Sequence, residues 1–329
     1  MVGYLNIFNF YMSLISYVCP FTGEKLSQKG NKYISKSKKS YPIIKKIPRF
    51  YQESYSESFG FQWNKFDKLQ LQASLPNLNN DRFWAVTNWN PKELENKNIL
   101  EAGSGAGRFT ETLIKIPKII LHSFDSSSAV EANFKNNLKY ISRLFICQAS
   151  IYHMPYKNNS FDKLFCFGVL QHTPSFHRAI KKLVEKVKPG GEIIIDFYPY
   201  KGFYTKIHSK YILRPITKRL PKRMLLSLIE KYIDLAILLF DFLVSIKLGF
   251  LTRFIPITDI RGFPKKLDYK TKKNMAILDT FDAFSPMFDN PQRLKKVVKI
   301  FQGLNCKISF SGLVKYRGGS TTVIRAIKI

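Results

Sequence analysis

Cysteine and acidic residues are both scarce in this sequence. Four cysteines stand far apart among 329 residues and form no Cys-x-x-Cys pair. Isolated thiols argue against a disulfide framework and favour a reducing cytoplasm. Only 23 Asp and Glu stand against 53 Lys and Arg, so the formal net charge is +30. This excess indicates an anionic partner, such as nucleic acid, a membrane surface or a phosphorylated substrate, or else it reflects lysines spread over a solvated surface.

The sequence also lacks a clear export signal and an uninterrupted membrane-spanning run. Residues 1–23 carry no charge, but they lack the basic start and small-residue cleavage site of a signal peptide. The apolar stretch 224–250 is broken every few positions by charged side chains. It predicts an amphipathic helix or helix pair about 40 Å long. Such a segment either packs as a cap on the main domain or faces lipid or a greasy substrate.

From position 98 the sequence alternates between short apolar runs and helical patterns. "NIL", "IILHSFD", "LFICQAS", "FDKLFCFG" and "EIIIDFYPY" predict strands, with helices between most of them and a turn at "KPGG". This alternation is typical of βαβ units with a parallel, fully buried sheet. Near the end, "CKISFSGL" and "STTVIRAIKI" predict two more strands joined as a hairpin. The predicted fold class is α/β.

The glycines of "NILEAGSGAGRF" directly follow the first of these strands. A glycine-rich turn between a strand and a helix predicts free backbone N–H groups and a close ligand approach at the carboxyl edge of the sheet. Asp125 ends the next strand, where a carboxylate can accept both hydroxyls of a ribose; the alternative is a helix N-cap. The spacing is G-x-G-x-G, which differs from the G-x-G-x-x-G of dinucleotide folds and disfavours a nicotinamide enzyme.

These motifs, followed by "FDKLFCFGVLQH" and "VKPGGEIII", carry a family resemblance. The chain resembles the class I S-adenosylmethionine-dependent methyltransferases, in the type 11-like subgroup. The resemblance implies a Rossmann-like sheet of seven strands, mostly parallel with an antiparallel last strand, and S-adenosylmethionine as cofactor. It covers residues 91–200 most clearly.

The resemblance also implies eleven cofactor contacts. The methionine part of the cofactor is expected against the glycine loop and the acid behind it: Glu101, Gly103, Ser104, Gly105 and Gly107. Ribose, adenine and sulfonium are expected at the ends of the next three strands: Asp125, Ser126, Ser150, Ile151, Phe167 and Gly168. Many relatives carry Asp where Ser150 stands, and a serine hydroxyl accepts an adenine hydrogen more weakly. Arg108 either binds the cofactor carboxylate or is a solvated first-turn residue.

His172, in "LQHTP", is the candidate catalytic residue. Methyl transfer needs mainly proximity and orientation, and it needs a base only for a hydroxyl or a protonated amine. A histidine has the right pKa class for that base. The alternative is a loop histidine that orders the backbone or packs on the cofactor. Aromatic residues outside the core are candidates for an acceptor pocket or for packing: Phe61, Trp63, Tyr198 and Tyr204. No metal site is expected.

The segment "YVCPFTGEKL" resembles the start of the short zinc-ribbon-like domain of tRNA-methyltransferase activator proteins. Thr22 stands where the second cysteine of that motif belongs, so we expect a degenerate, metal-free module. The expected domains are this module (1–50), an aromatic lid or linker (51–90), the cofactor-binding core (91–200), a helical cap (201–285) and a C-terminal helix with two strands (286–329).

The resulting functional expectation is a methyltransferase for a small-molecule, glycan or lipid-linked acceptor of bacterial surface-polysaccharide or secondary-metabolite type. The alternatives are an RNA methyltransferase, favoured by the charge and the N-terminal module, and an inactive cofactor-binding scaffold. Nucleic acid is the less favoured partner, since no contiguous basic arm is present. The expected location is cytoplasmic, with peripheral contact at the anionic inner face of the membrane as a further hypothesis.

Overall fold

The fold contains a small N-terminal sheet, a large central sheet and a helical cap. A computed structural model describes residues 16–51, 54–69, 71, 77–264 and 266–329. The first part of the expected N-terminal module, residues 1–15, lies outside the described residues. The small sheet is antiparallel, with strands β1 (Ser27–Lys29), β2 (Lys32–Ile34), β3 (Ser40–Ile44) and β4 (Ile47–Pro48) in sequential order.

The central sheet has seven strands: β5 (Asn98–Ala102), β6 (Ile120–Asp125), β7 (Leu144–Gln148), β8 (Phe161–Cys166), β9 (Val187–Phe197), β10 (Cys306–Tyr316) and β11 (Gly319–Lys328). Their order is β10-β11-β9-β8-β5-β6-β7. Strands β5 to β9 pair in parallel, whereas β11 is antiparallel to both β9 and β10. The predicted mostly parallel sheet with an antiparallel last strand is confirmed, as is the terminal hairpin.

One local prediction differs from the structure. The pattern "KPGG" predicts a turn before its strand, but β9 already begins at Val187. Phe161 pairs with Val187 and Lys163 pairs with Glu192, so the extra residues form an irregularity inside the ladder. Gly190 accommodates it with a φ of +75°.

The helices cover both faces of the sheet and build the cap: α1 (Glu57–Lys65), α2 (Leu78–Thr87), α3 (Arg108–Leu113), α4 (Val130–Asn137), α5 (Phe176–Lys186), α6 (Phe203–Lys206), α7 (Ser209–Thr217), α8 (Lys222–Ser245), α9 (Tyr269–Phe284) and α10 (Leu294–Gln302). Helix α5 shows why these segments fold as they do. Ser175 caps it by accepting from Arg178 N, and Ile180, Leu183 and Val184 are buried at helical spacing.

The central sheet is buried between two apolar clusters. One contains residues of α5 and α10 together with the N-terminal module, and the other contains residues of α2, α3 and α4. The cap has its own core, in which the inner face of α8 packs with α9 and the segment around Ile255 and Ile257. Most of segment 224–250 forms one helix, α8, which ends at Ser245. A short 3₁₀ helix, Gly249–Phe254, follows it. None of the helices in the described ranges is both long and apolar enough to cross a bilayer.

The N-terminal module lies along the edge of the central sheet. Phe50 N donates to Gln148 O of β7 at 2.8 Å. Arg49 donates to Gln148 Oε1 at 2.9 Å and to Glu131 Oε1 at 3.0 Å. Cys19, the one cysteine of the "YVCPFTG" segment, is buried 3.0 Å from the hydroxyl of Tyr41. The module thus covers an edge strand that would otherwise expose unpaired backbone groups.

Candidate cofactor and acceptor site

A cavity of about 980 Å³ opens at the carboxyl edge of the central sheet, between the glycine loop, α1 and the cap. Nine of the twelve residues predicted from sequence line it: Gly103, Ser104, Gly105, Asp125, Ser126, Ile151, Phe167, Gly168 and His172. The other three, Glu101, Gly107 and Ser150, are not among its lining residues. The topology therefore brings together side chains from the ends of several strands that are distant in sequence.

The glycine loop is shaped by close contacts with its neighbours. Gly103 has a φ of +79°, and a Cβ there would lie 2.2 Å from Val169 Cγ2. Its N–H and that of Ser104 both donate to Phe124 O, at 2.8 and 3.1 Å. The expectation of free backbone N–H groups is therefore wrong for these two residues, because the adjacent strand already accepts their hydrogens. The glycine is required for the turn and for close packing.

Asp125 joins the loop after β6 to the glycine loop. Its Oδ1 accepts from Ser127 N at 2.8 Å and from Ser127 Oγ at 2.7 Å, while its Oδ2 accepts from Gly105 N at 3.0 Å. The bond to Ser127 N closes an Asx turn, so Asp125 is not the N-cap of α4, which is Ala129. Burial raises the pKa of Asp125, and these hydrogen bonds oppose the rise. A carboxylate with three such bonds retains acceptor capacity for a ligand hydroxyl.

Ser104 supplies a test of whether a polar ligand fits in this cavity. Its Oγ is buried and finds no hydrogen-bond partner among the described residues, and the residue lines the cavity. A buried hydroxyl without a partner costs free energy, and a polar ligand group bound in the cavity would relieve that cost. The Ser104 hydroxyl, the Asp125 carboxylate and the apolar Ile151 side chain together fit a polar nucleoside ligand such as S-adenosylmethionine.

Glu101 lies beneath the loop in a polar network. It accepts from Ser123 Oγ at 2.9 Å and from Thr110 Oγ1. Asn133 Nδ2 donates to both of those hydroxyl oxygens, at 3.1 Å each. Burial raises the pKa of Glu101 to about 7. The network ties β5, β6, α3 and α4 together, and the predicted contact of Glu101 with a cofactor amino group stays a prediction.

Gly107 and Ser150 do not line the cavity, but they adjoin residues that do. A Cβ on Gly107, whose φ is +87°, would lie 2.2 Å from Asn133 Oδ1, so only glycine lets α3 begin this close to α4. Ser150 is fully buried, and its Oγ accepts from Tyr152 N at 3.1 Å. Its predicted position beside an adenine is untested, although its neighbour Ile151 does line the cavity.

His172 lines the cavity and lies between the rings of Phe59 and Tyr198, whose centroids are 5.2 and 5.8 Å from that of its own ring. Its Nδ1 lies 3.0 Å from Phe288 O. A carbonyl can only accept, so Nδ1 carries the hydrogen and Nε2 keeps a lone pair. Nε2 is buried with no partner among the described residues. Burial lowers the pKa of His172, which favours the neutral imidazole, while Asp282 and Asp289 act in the opposite direction.

Several charged residues in the cavity wall were not found from sequence, among them Asp196 and Arg82. Asp196, near the end of β9, accepts from Gly168 N at 2.5 Å and from Arg82 at 2.7 Å. The acid that interrupts the apolar run "IIIDFYPY" is a usable signal for Asp196. Arg82 reaches it from 114 positions away on α2, which no local pattern reveals. Arg108 also lines the cavity, packed on the Phe109 ring, and its two predicted roles stay open.

The cap contributes a second buried charged pair. Lys210 of α7 pairs with the fully buried Asp289 and lies over the ring of Tyr198, 4.6 Å from its centroid. Of the aromatic candidates for an acceptor pocket, three line the cavity: Trp63, Tyr198 and Tyr204. Phe61 instead packs on Phe281 in the cap core.

Residues 100–195 match the family model described as "Methyltransferase domain". One relative is the tRNA U34 carboxymethyltransferase of Nautilia profundicola, 31% identical over 33% of this chain and 37% of that protein. Another is the ubiquinone biosynthesis O-methyltransferase of Coxiella burnetii, 27% identical over 38% of this chain and 55% of that protein. The chain thus spans only about a third to a half of these relatives.

Among solved structures, this chain is similar to the magnesium protoporphyrin IX methyltransferase of Synechocystis PCC 6803 with bound S-adenosylhomocysteine. The two share 14% identity and a TM-score of 0.46, over 84% of this chain and 97% of that one. The zinc-ribbon-like character of the N-terminal module is not confirmed, although its small antiparallel sheet is present. The family match and the sheet topology agree: residues 100–195 form a class I S-adenosylmethionine-dependent methyltransferase domain.

Proposed function

We propose that the chain transfers the methyl group of S-adenosylmethionine to a hydroxyl of a small-molecule or lipid-linked acceptor. One observation carries this proposal. A single cavity joins the residues that fit the nucleoside, among them Asp125, to a buried histidine whose Nε2 lone pair has no partner in the described chain. Its volume lies at the upper end of the range for small-ligand sites, about 300–1,000 Å³, which leaves room for an acceptor beside the cofactor.

The chain's own residues define the acid–base part of the reaction. Phe288 O holds the proton on His172 Nδ1, so Nε2 accepts the proton of the acceptor hydroxyl. Burial keeps the imidazole neutral at neutral pH. When bound, S-adenosylmethionine supplies an electrophilic methyl group on a sulfonium with a neutral leaving group. The remaining contribution of the protein is orientation and exclusion of water.

Because residues of the cap line the cavity, the proposal favours a small or elongated acceptor over a large folded one. Lining residues from α6 and α7 and from the 3₁₀ segment Gly249–Phe254 stand over the acceptor end of the cavity: Tyr204, Thr205, Lys210, Tyr211 and Arg253. A second candidate, an RNA acceptor, is favoured by the net charge of +30 and by the tRNA relatives. The experiment is therefore arranged to separate the two.

The test incubates purified protein and S-adenosylmethionine carrying a labelled methyl group with a bacterial lipid extract and, separately, with bulk tRNA. We expect label in the lipid fraction and its loss in His172→Asn. His177→Asn is the matched control, because His177 is exposed on α5. Label in the tRNA instead would assign the RNA function. No label in either fraction, while S-adenosylhomocysteine still binds by calorimetry, would assign the inactive cofactor-binding scaffold.

A further inference from the structure

Helix α8 has two apolar faces. Its inner face forms the cap core, with Ile229, Ile233 and Ile237 each about 1% exposed or less. Its outer face carries a second apolar stripe at spacings of three, four and seven residues: Met224, Leu228, Leu235, Leu238, Leu239 and Phe242. Leu235 and Leu238 are 71% and 65% exposed. A contiguous stripe of this kind on a folded surface marks an interaction site.

The acids of α8 lie beside the stripe and are paired. Glu230 pairs with Lys65 at 3.0 Å, Asp234 with Lys273 at 2.7 Å and Asp241 with Lys272 at 2.7 Å. At the helical repeat of about 100° per residue, all three fall on one flank of the helix, next to the stripe but outside it. The negative charges of α8 are thus compensated by neighbouring elements.

The charge around the stripe is positive. Lys231 is exposed within it, Arg219 and Arg223 are exposed near its start, and Lys247 is exposed just after its end. Over the whole cap, 201–285, the sequence holds 17 Lys and Arg against 7 Asp and Glu. An apolar stripe with basic residues in and around it is complementary to a bilayer that contains anionic lipid.

The apolar surface continues to the mouth of the cavity. After α8, the exposed side chains of Ile246, Phe250 and Phe254 extend it into the following turn. Arg253 of that turn donates to Tyr204 O, and its guanidinium lies 5.1 Å from the centroid of the Tyr204 ring. Tyr204 is 65% exposed and also lines the cavity. The same surface therefore reaches both the outer stripe and the entrance to the acceptor site.

We infer that the outer face of α8 and the turn after it dock on an anionic bilayer, and that the acceptor enters the cavity from that surface. This deepens the proposed function by naming a membrane-resident amphiphile as the substrate class, and it rests on that function only for the acceptor. The docking is peripheral, since the apolar stripe covers one side of the helix and the other side is buried in the cap.

The positive charge distinguishes the bilayer from a second copy of the chain. Two copies meeting through this face would bring Lys231 and Lys247 of each copy toward one another, and like charges in a desolvated interface oppose association. An anionic lipid surface instead gains from each of these residues, by about fivefold in partition per cation close to the surface.

The test is sedimentation of the full chain with vesicles of phosphatidylcholine alone and of phosphatidylcholine with phosphatidylglycerol. We expect binding to the anionic vesicles, weakened by salt, and at least about tenfold weaker partition for the double variant Leu235→Gln/Leu238→Gln. The matched control is Ile44→Gln/Ile329→Gln, which removes two exposed apolar side chains, 49% and 76% exposed, outside the cap. It should bind as the wild type does.

Calorimetric titration with S-adenosylhomocysteine on the same samples checks that each variant is folded. Failure of the wild type to bind anionic vesicles, or equal binding by Leu235→Gln/Leu238→Gln, would overturn the inference. If the wild type binds no vesicles but forms a dimer, and the double variant is monomeric, the face would be assigned to contact with a second copy. Absence of S-adenosylhomocysteine binding by the wild type would instead count against the proposed function. The vesicle assay would still test the docking independently.

Discussion

The two ends of the cavity are built by different means. At the cofactor end, strand termini and short side chains hold one another, as where Asp125 accepts from Gly105 N, Ser127 N and Ser127 Oγ. At the proposed acceptor end, bulky side chains converge from distant elements, and His172 Nε2 and Asp289 Oδ1, like Ser104 Oγ at the other end, are buried without hydrogen-bond partners in the described chain. We therefore propose that the edge of the sheet holds the cofactor, whereas the side chains around His172 and Asp289 hold the acceptor.

The largest effect that separates the two ends is expected at His172. Replacing it by Asn should lower kcat about 10³-fold, because the acceptor hydroxyl loses its base. Binding of S-adenosylhomocysteine should not change, since His172 belongs to the acceptor end. Methyl-transfer kinetics and calorimetry on the same protein check both parts. A parallel loss of cofactor affinity would contradict the separation of roles.

The pH profile of the wild type sharpens this assignment. Burial lowers the pKa of His172 below its ordinary value of 6.5. The neutral base therefore persists as the pH falls through about 6.5, and kcat should decline only below it. The folded state must also keep this histidine neutral, so acidification below about 6.5 should destabilise the wild type more than His172→Asn. A kcat that declines already above about pH 7 would contradict a lowered pKa.

At the cofactor end, Asp125→Ala should weaken binding of S-adenosylhomocysteine about 100-fold. The change removes charge-assisted acceptor oxygens worth about 1.5–3 kcal/mol per hydrogen bond. Asp125→Asn is the informative companion, because it keeps an oxygen for Ser127 and loses the charge. We expect an intermediate affinity for it in calorimetric titration. Equal affinities of Asp125→Ala and the wild type would remove Asp125 from the site.

A smaller effect on stability distinguishes two kinds of glycine. Gly107→Ala should cost about 2–3 kcal/mol, because it combines a left-handed φ with a contact to Asn133. Gly190→Ala should cost only about 1 kcal/mol, since its φ is +75° but nothing lies within 4 Å of the added Cβ. Urea denaturation of both variants measures the difference. Equal losses would show that close packing beneath the loop contributes nothing beyond the backbone conformation.

A pH-dependent effect on stability is expected at Glu101. A carboxyl group whose folded-state pKa is raised from 4.5 to about 7 binds its proton more tightly in the folded state. Wild-type stability should therefore fall as the pH rises from about 4.5 to about 7. Glu101→Gln should reduce that fall by about 3 kcal/mol, because one pKa unit corresponds to about 1.4 kcal/mol. The measurement is Tm at about pH 5 and pH 8, and an unchanged pH dependence would contradict the burial effect.

The same contrast explains what can be predicted from the sequence. Residues at strand ends, such as Gly103, Asp125 and Phe167, follow apolar runs directly, so strand periodicity locates them at one edge of the sheet. The terminal hairpin is equally predictable. The hydrogen bonds of the glycine loop are not, because Phe124 O accepts from Gly103 and Ser104 across a strand pairing that no local pattern specifies.

The acceptor end depends on tertiary placement. Arg82 and Asp196, or Lys210 and Asp289, become neighbours only when elements far apart in sequence pack together. For α8, the amphipathic character is visible in the sequence, but which apolar face the cap buries is not. That choice depends on α9, whose inner-facing side chains fill the cap core: Ala276, Ile277 and Phe281.

The N-terminal module has a further consequence when the chain is considered in the order in which a ribosome makes it. Its residue Arg49 bonds to Gln148, 99 positions later in the sequence. At about 5–20 residues per second, the strand that the module covers is completed roughly 5–20 s after it. During this interval Tyr41 and Phe50 can pack on one another, with ring centroids 5.3 Å apart, but not on the central sheet. Once β7 is made, the module is already present to pair with its free edge, so the order of synthesis itself protects that edge from pairing with other chains.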